Sequence, residues 1–181
     1  MKSKSDEVFS LDVVSVRLVK DSPIFSERPI NNPGDLVELL GEYMCELDRE
    51  VICVVNLRND GIPINCHFAS VGAVNHAIAH PRELFKASIL SNASHMMLIH
   101  NHPSGKLQPS EDDTRLTDRM VNLCQHMGIP LLDHVIVGGS NQEYFSFCQK
   151  KILPTAHITY ESNYEMINFP IPMAAERGRS R

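Results

Sequence analysis

Two histidines one residue apart, followed by a cluster of acids, form the stretch of this 181-residue sequence best suited to chemistry. The stretch reads HNHPSGKLQPSEDD and runs from His100 to Asp113, with the second histidine at His102. Residues i and i+2 of a β-strand point to the same side, so the two imidazoles can be directed at one ion. Such a pair also arises by chance, so the spacing alone is a weak signal.

Ser110 and Asp113, at the end of this stretch, have the spacing of a helix capping box, which is enough to explain both residues locally. Asp113 also begins an apolar stripe at helical spacing, formed by Leu116, Met120, Leu123 and Met127. Its carboxylate is therefore predicted at the N-terminal end of the inward face of the helix. Capping does not require that placement.

Two imidazoles and one carboxylate, with a position left for water, are the ligand set of a catalytic zinc. A closed structural zinc site would need a fourth protein ligand, and no cysteine lies near His100, His102 or Asp113 in the sequence. Zinc lowers the pKa of a bound water and polarises carbonyl groups. An Fe(II) centre can use the same three ligand types, but the H-x-H…D order argues against it.

Such a metal needs a base nearby, and Glu50 is the candidate that the chain order offers. It ends the segment LDRE directly before an apolar run, where a carboxylate is costly to bury without a partner. The alternative is a solvated Glu50 at a helix-to-strand junction, beside Arg49. His134, in LLDHVIVG, is predicted to be a hydrogen-bonded core histidine or part of the wall of the site. Asn101 is expected to bond loop backbone or to line the cleft.

The elements that would position these residues alternate between strands and helices. Period-two patterns and apolar runs predict strands over Val8–Lys20, Glu50–Leu57, Ile62–Ser70, Ser94–His102, Leu131–Val137 and Tyr144–Phe147. Capping signals and helical spacing predict helices that begin near Asp35, at Pro81 and at Ser110 and end near Leu47, Ser91 and Met127. The order predicts an α/β layered domain with a mixed sheet over residues 1–153. Residues 154–181 are predicted to be a tail that is either disordered or docked.

Composition narrows the class of protein. The chain is 43% hydrophobic and 22% charged, which is typical of a globular protein, and its net charge of −5 gives no basic footprint for nucleic acid. Its apolar runs are too short to span a bilayer, and its polar N-terminus lacks a signal peptide. Five scattered cysteines without a CxxC pair fit reduced thiols. We therefore expect a cytoplasmic protein without a membrane or nucleic acid partner.

Several motifs in order resemble one known family. H-x-H, seven residues, Ser, two residues and Asp is similar to the signature of JAB/JAMM (MPN-type) zinc metalloproteases. More narrowly, HNHPSG, LDRE, HPRELFK, and GIPLLDHVIVG followed by YFSF resemble bacterial RadC-like proteins, and the likeness runs from Leu36 to Lys150.

This resemblance implies a three-layer α/β/α, cytidine-deaminase-like JAB/MPN domain that binds one Zn²⁺ per chain. His100, His102 and Asp113 would be the metal ligands, Glu50 the general acid/base and Ser110 a stabiliser of the oxyanion. RadC-like proteins usually carry an N-terminal helix-hairpin-helix region, whereas the first 30 residues here predict a strand and a loop. A link to DNA is therefore expected to be weak.

Three functions follow from these expectations. The first is a zinc-dependent hydrolase that cleaves a peptide or isopeptide amide bond, so that its partner is a protein or peptide. The second is a non-catalytic MPN-type interaction module. The third is DNA processing, which two histidines and an acidic chain disfavour because phosphodiester-cleaving metals prefer oxygen-rich sites. Substrate and oligomeric state stay open.

Overall fold

The computed structural model describes Ser15, residues 17–71 and residues 80–156. These residues form the helices α1 Pro33–Cys45, α2 Pro81–Leu90 and α3 Glu111–Met127. They also form the strands β1 Val51–Leu57, β2 Pro63–Val71, β3 His95–Asn101, β4 Leu131–Gly138 and β5 Ser140–Ser146. Within the described ranges, the helices and the strands from β1 to β4 agree with the sequence prediction to within about two residues at each end.

The prediction was wrong at the first strand and imprecise at the last one. Residues 17–20 are irregular and exposed, and Val19 keeps 89% of its surface accessible. The rest of the predicted strand, residues 8–14 and 16, lies outside the described residues. Alternation indicates which face a strand would bury, but it does not supply the partner strand that residues 17–20 lack. β5 begins four residues before the predicted Tyr144.

The strands of the described chain form one sheet in the order β2-β1-β3-β4-β5. β3 and β4 run parallel, and the other neighbouring pairs run antiparallel. The predicted mixed sheet is confirmed. β3, which carries His100 and ends just before His102, is the central strand, so its two ends are enclosed by neighbours on both sides.

Helices cover both faces of the sheet. On one face α1 packs Leu36, Leu40 and Met44 against a core that includes Cys53, Val55, Met97 and Val135. On the other face, Leu84 of α2 and Met120 and Cys124 of α3 pack against a core that includes Ile52, Val54, Met96 and Leu98. Odd and even residues of β1 thus serve different cores, as strand geometry requires. The predicted three-layer α/β/α architecture is confirmed.

The inward face of α3 is rotated slightly from the predicted one. Its buried residues are Thr117, Met120, Val121 and Cys124. Leu116 and Leu123 lie at the margin of this face, and Met127 is 47% exposed. The prediction followed residue type alone and passed over a buried threonine. Asp113 remains on the inward side because it lies one turn before Thr117.

The ends of the described chain bear on two further expectations. Leu153 and Ala156 pack against the core beneath α2 and α3, and residues 157–181 lie outside the described residues. The boundary predicted between domain and tail therefore stays a prediction. No helix within residues 17–71 and 80–156 is long and apolar enough to cross a bilayer. All five cysteines are free thiols.

Candidate metal centre

The side chains of His100, His102 and Asp113 converge at the end of β3 and the first turn of α3. His100 Nε2 lies 2.9 Å from His102 Nε2. The Asp113 oxygens Oδ1 and Oδ2 lie 3.2 Å from His100 Nε2 and 3.4 Å from His102 Nε2. Two imidazole nitrogens and one carboxylate therefore face a single point.

This donor set fits a tetrahedral metal ion. Ligands held about 2.0–2.1 Å from zinc at tetrahedral angles lie about 3.3 Å from one another. The two nitrogens lie 2.9 Å apart, and each lies 3.2 or 3.4 Å from a different oxygen of Asp113, which is close to that value. Only three protein groups take part, so a fourth position stays open. Across the described ranges, no other group of three or more His, Cys, Asp or Glu side chains has such spacing.

Each histidine is held through its other ring nitrogen. His102 Nδ1 lies 2.6 Å from the carbonyl oxygen of Lys106, which can only accept a hydrogen bond. His100 Nδ1 lies 2.8 Å from His134 Nε2. Histidines that bind metals generally donate this second N–H to a neighbour, which leaves the opposite nitrogen free for the ion.

Asp113 is fixed by the capping box that the sequence predicted. Its Oδ2 accepts hydrogen bonds from the Ser110 amide at 2.7 Å and from the Ser110 hydroxyl at 2.6 Å. The Asp113 amide donates in return to Ser110 Oγ at 3.1 Å. Ser110 is exposed, and its hydroxyl proton points at Asp113. One serine thus begins the helix and orients a carboxylate.

The charges in the cluster support one another. Burial raises the pKa of Asp113, but the close imidazoles of His100 and His102 and the hydrogen bonds from Ser110 outweigh it and lower the pKa well below its usual range. The nearby Asp113 carboxylate raises the pKa of His102 against the opposing effect of burial, and the charge of Glu50 makes a smaller contribution in the same direction. The cluster therefore holds an ionised carboxylate against two imidazoles.

Glu50 lies at the edge of this cluster. Ile52 pairs with His100 in the antiparallel register of β1 and β3. Extended by two residues beyond the ladder, this register would set Glu50, just before β1, opposite His102 and on the side of the sheet that carries both histidines. Glu50 is half-buried, and the guanidinium of Arg49 pairs with Asp48. Glu50 as a general base therefore stays a prediction.

Asn101 fixes the backbone on both sides of Glu50. Its Oδ1 accepts from the Val51 amide at 2.8 Å, and its Nδ2 donates to the Arg49 carbonyl at 2.9 Å. Sequence reasoning left open whether Asn101 bonds backbone or lines the cleft, and the structure shows the former. The residue between the two histidines therefore ties them to the segment that carries Glu50.

Two buried residues behind His100 complete the site. His134 is fully buried, and its ring stacks on Phe147 with centroids 5.3 Å apart. Its Nδ1 lies 2.7 Å from Thr117 Oγ1, which is also 2.7 Å from the Asp113 carbonyl oxygen. Burial, and next the nearby His100, lower the pKa of His134 well below its usual value. Sequence reasoning missed Thr117, whose only signal is its place one turn after Asp113.

The loop after β3 rests closely on β4. His102 continues the ladder, because its amide donates to the Val137 carbonyl at 2.8 Å. A Cβ atom on Gly138 would lie 3.0 Å from the His102 carbonyl oxygen and 3.1 Å from the Gly105 Cα. Gly105 itself has φ +74°, a value that glycine adopts without strain. Two glycines therefore let the loop pass directly over the end of β4.

Comparison with known proteins gives one family and many relatives. The family model described as RadC-like JAB domain matches residues 30–152. A UPF0758 protein of Desulfitobacterium hafniense (strain DSM 10664 / DCB-2) is 41% identical over 138 residues, which is 76% of this chain and 59% of the relative. UPF0758 protein NT01CX_1687 of Clostridium novyi (strain NT) is 40% identical over 68% of this chain and 54% of its own length. The chain thus spans little more than half the length of these relatives.

Proposed function

The chain belongs to the RadC-like JAB domain family, as its motifs predicted, and from that premise we propose that it is a zinc-dependent hydrolase of peptide or isopeptide amide bonds. One observation carries the proposal. Two imidazole nitrogens and the Asp113 carboxylate meet at distances close to those in a tetrahedral ligand set, and Glu50 lies near enough for its charge to act on His102.

His100, His102 and Asp113 would hold one zinc ion per chain. When bound, the ion supplies a water of near-neutral pKa and a Lewis acid for a carbonyl group. The two histidines are neutral ligands and Asp113 carries one negative charge. The set is therefore softer than the oxygen-rich sites that magnesium or calcium prefers.

Glu50 is the residue that we assign to proton transfer. Its charge acts on His102, and the register of β1 and β3, extended by two residues, sets it opposite that histidine, so its carboxylate would accept a proton from an attacking water and pass it to the leaving amine. Asn101 holds the backbone on both sides of Glu50, which limits the distance that this carboxylate can drift. General acid/base groups placed in this way typically contribute about 10²–10⁴-fold to a rate.

Ser110 has a second assigned role. Its exposed hydroxyl donates to Asp113 Oδ2 in this structure. A rotation about its χ1 angle would turn the hydroxyl outwards, where it can donate to a carbonyl oxygen as negative charge develops there. The Ser110 amide would still hold Asp113 through the contact at 2.7 Å.

An amide substrate is favoured over nucleic acid. Metal sites that cleave phosphodiester bonds generally prefer oxygen ligands and often use two ions, whereas this cluster has two histidines and one aspartate. The chain carries a net charge of −5, which opposes phosphate binding. We therefore assign a protein or peptide partner, and the free thiols favour a cytoplasmic location.

The test begins with metal content. The full chain and the variants His102→Ala, Asp113→Ala and Glu50→Gln are purified without chelators, and their metals are measured by plasma mass spectrometry. We expect about one zinc per chain in the parent and in Glu50→Gln, and little in the other two, because one lost ligand typically costs far more than a supporting contact. A parent that binds no zinc at micromolar concentration would instead favour an interaction module.

Activity is then measured on a peptide library made by digesting a bacterial proteome, with cleavage sites read by mass spectrometry. Zinc-loaded Glu50→Gln should cleave at least about 100-fold more slowly than the parent. Equal cleavage by both zinc-loaded proteins would defeat the assigned mechanism. Iron in place of zinc would instead indicate an Fe(II) centre, which uses the same three ligand types.

A further inference from the structure

We propose that His134 and Thr117 are positioning residues that fix the tautomer of His100 through a directional hydrogen-bond relay. The inference rests on the proposed zinc site and extends it to two residues that touch neither ion nor substrate. The relay runs from His100 Nδ1 to His134 and then to the Thr117 hydroxyl, and it ends at the Asp113 carbonyl.

The direction of the first step follows from the ligand atom. His100 Nε2 faces His102 and Asp113, so binding an ion there requires a lone pair on that nitrogen. The single proton of a neutral His100 must then sit on Nδ1. His134 Nε2, at 2.8 Å, must accept it.

The next two steps are forced in turn. A neutral His134 whose Nε2 accepts carries its proton on Nδ1, and Thr117 Oγ1 lies 2.7 Å away to receive it. The Thr117 hydroxyl must then donate elsewhere, and the Asp113 carbonyl oxygen accepts at 2.7 Å. Asp113 therefore ends the relay through its backbone and binds the ion through its side chain.

The opposite direction would block the site. If Thr117 donated to His134 Nδ1, His134 would donate from Nε2 to His100 Nδ1, and the proton of His100 would move to Nε2. That proton would point at Asp113 Oδ1, 3.2 Å away, and would occupy the lone pair that the ion needs.

Burial makes the Thr117 hydroxyl decisive. Thr117 is 1% exposed and His134 is 0% exposed, so bulk water cannot replace a lost partner. Without the hydroxyl, a proton on His134 Nδ1 would be buried without an acceptor, which is costly. The proton would then favour Nε2, and His100 would be left in the tautomer that cannot bind the ion. His102 needs no such relay, because its partner, the Lys106 carbonyl, only accepts.

Zinc affinity of the full chain tests the relay without any substrate. Thr117→Val removes the hydroxyl and keeps the side-chain volume, whereas Thr117→Ser keeps the hydroxyl and loses a methyl group. Ser88→Ala is the matched control, since Ser88 is buried in α2 and its hydroxyl also faces the carbonyl four residues back. Affinities are measured by competition with a chromogenic chelator.

We expect Thr117→Val to bind zinc about 10–100-fold more weakly than the parent, and Thr117→Ser and Ser88→Ala to stay within about threefold. A packing role would give the reverse order, with the isosteric valine tolerated and the serine impaired. Parent-like affinity in Thr117→Val would overturn the relay while leaving the zinc site intact. A parent that binds no zinc would overturn both proposals.

The tautomer itself is read by nitrogen NMR of the zinc-loaded chain labelled with ¹⁵N-histidine. The parent should show His100 bound through Nε2 with its proton on Nδ1, and His134 with its proton on Nδ1. A zinc-loaded parent in which His134 is protonated on Nε2 would contradict the relay, whatever the affinities are.

Discussion

At the scale of single residues, the side chains of His100, Asn101 and His102 point alternately to the two faces of the sheet. His100 and His102 project towards α2 and α3, whereas Asn101 bonds the backbone that precedes β1. Asn101 is 1% exposed, and its hydrogen bond with the Val51 amide is buried, while the one with the Arg49 carbonyl is half-buried. The side-chain amide of Asn101 therefore links the proposed ligands to the proposed base.

Replacing Asn101 with leucine should destabilise the chain by about 1–3 kcal/mol, because the Val51 amide and the Arg49 carbonyl lose their buried partner. Urea denaturation measures the change. The control is Asn122→Leu on α3, where the amide donates only to a helix carbonyl and the expected change is within about 0.5 kcal/mol. Equal stability of Asn101→Leu and the parent would contradict the stabilising role of these two hydrogen bonds.

Strand and helix periods could predict that His100 and His102 share a side and that Asp113 begins the inward face of its helix, and the resemblance to the JAB/JAMM signature implied that the three meet at one point. The sequence could not predict the contact between His134 and His100. That contact depends on the parallel register in which Leu98 pairs with His134, and the register is set by packing across the whole sheet. Sequence reasoning missed Thr117 for a related reason, since its role depends on its contact with the buried His134 and not on its residue type.

At the scale of elements, the first turn of α3 is where folding and the candidate site meet. The side chain of Ser110 accepts from the Asp113 amide, so the residue that begins the helix also holds the third ligand. The helix ends at Met127, as predicted, and is capped by Gly128 with φ +66°. Local capping signals therefore located both ends, while the rotation of the helix about its axis depended on tertiary packing.

Ser110→Ala should lower the free energy of unfolding by about 1 kcal/mol, the usual value of a serine N-cap. Ser110→Thr keeps the hydroxyl and should lower the free energy of unfolding by only a few tenths of a kcal/mol. Thermal and urea unfolding of the metal-free proteins separate this effect from zinc binding. A loss in the threonine variant as large as in the alanine variant would show that the hydroxyl contacts contribute little.

At the scale of the whole molecule, the candidate site joins two of the three layers. The histidines extend from the central strand of the sheet, and Asp113 comes from a helix that packs on one face. An ion bound by all three would therefore cross-link the sheet and α3 in the folded state alone. The layered fold was predictable from the alternation of elements. The irregular conformation of residues 17–20, where a strand was predicted, was not.

Zinc at 100 times its dissociation constant should stabilise the folded chain by about 2.7 kcal/mol. For a domain of this size that corresponds to a rise in melting temperature of about 5–11 °C. Differential scanning calorimetry with and without zinc measures it, and addition of EDTA should reverse it. Asp113→Ala should show almost no rise; a rise equal to that of the parent would place the bound ion elsewhere.

The two-residue spacing of the histidines also sets how this segment can change in evolution. Inserting or deleting one residue between His100 and His102 would turn one imidazole to the α1 side of the sheet, so the segment cannot absorb length changes. Between Lys106, whose carbonyl holds His102, and Ser110 the chain only has to bridge two fixed ends, so length changes there would leave the ligands in place. New specificity is therefore most easily acquired by lengthening the second half of this loop.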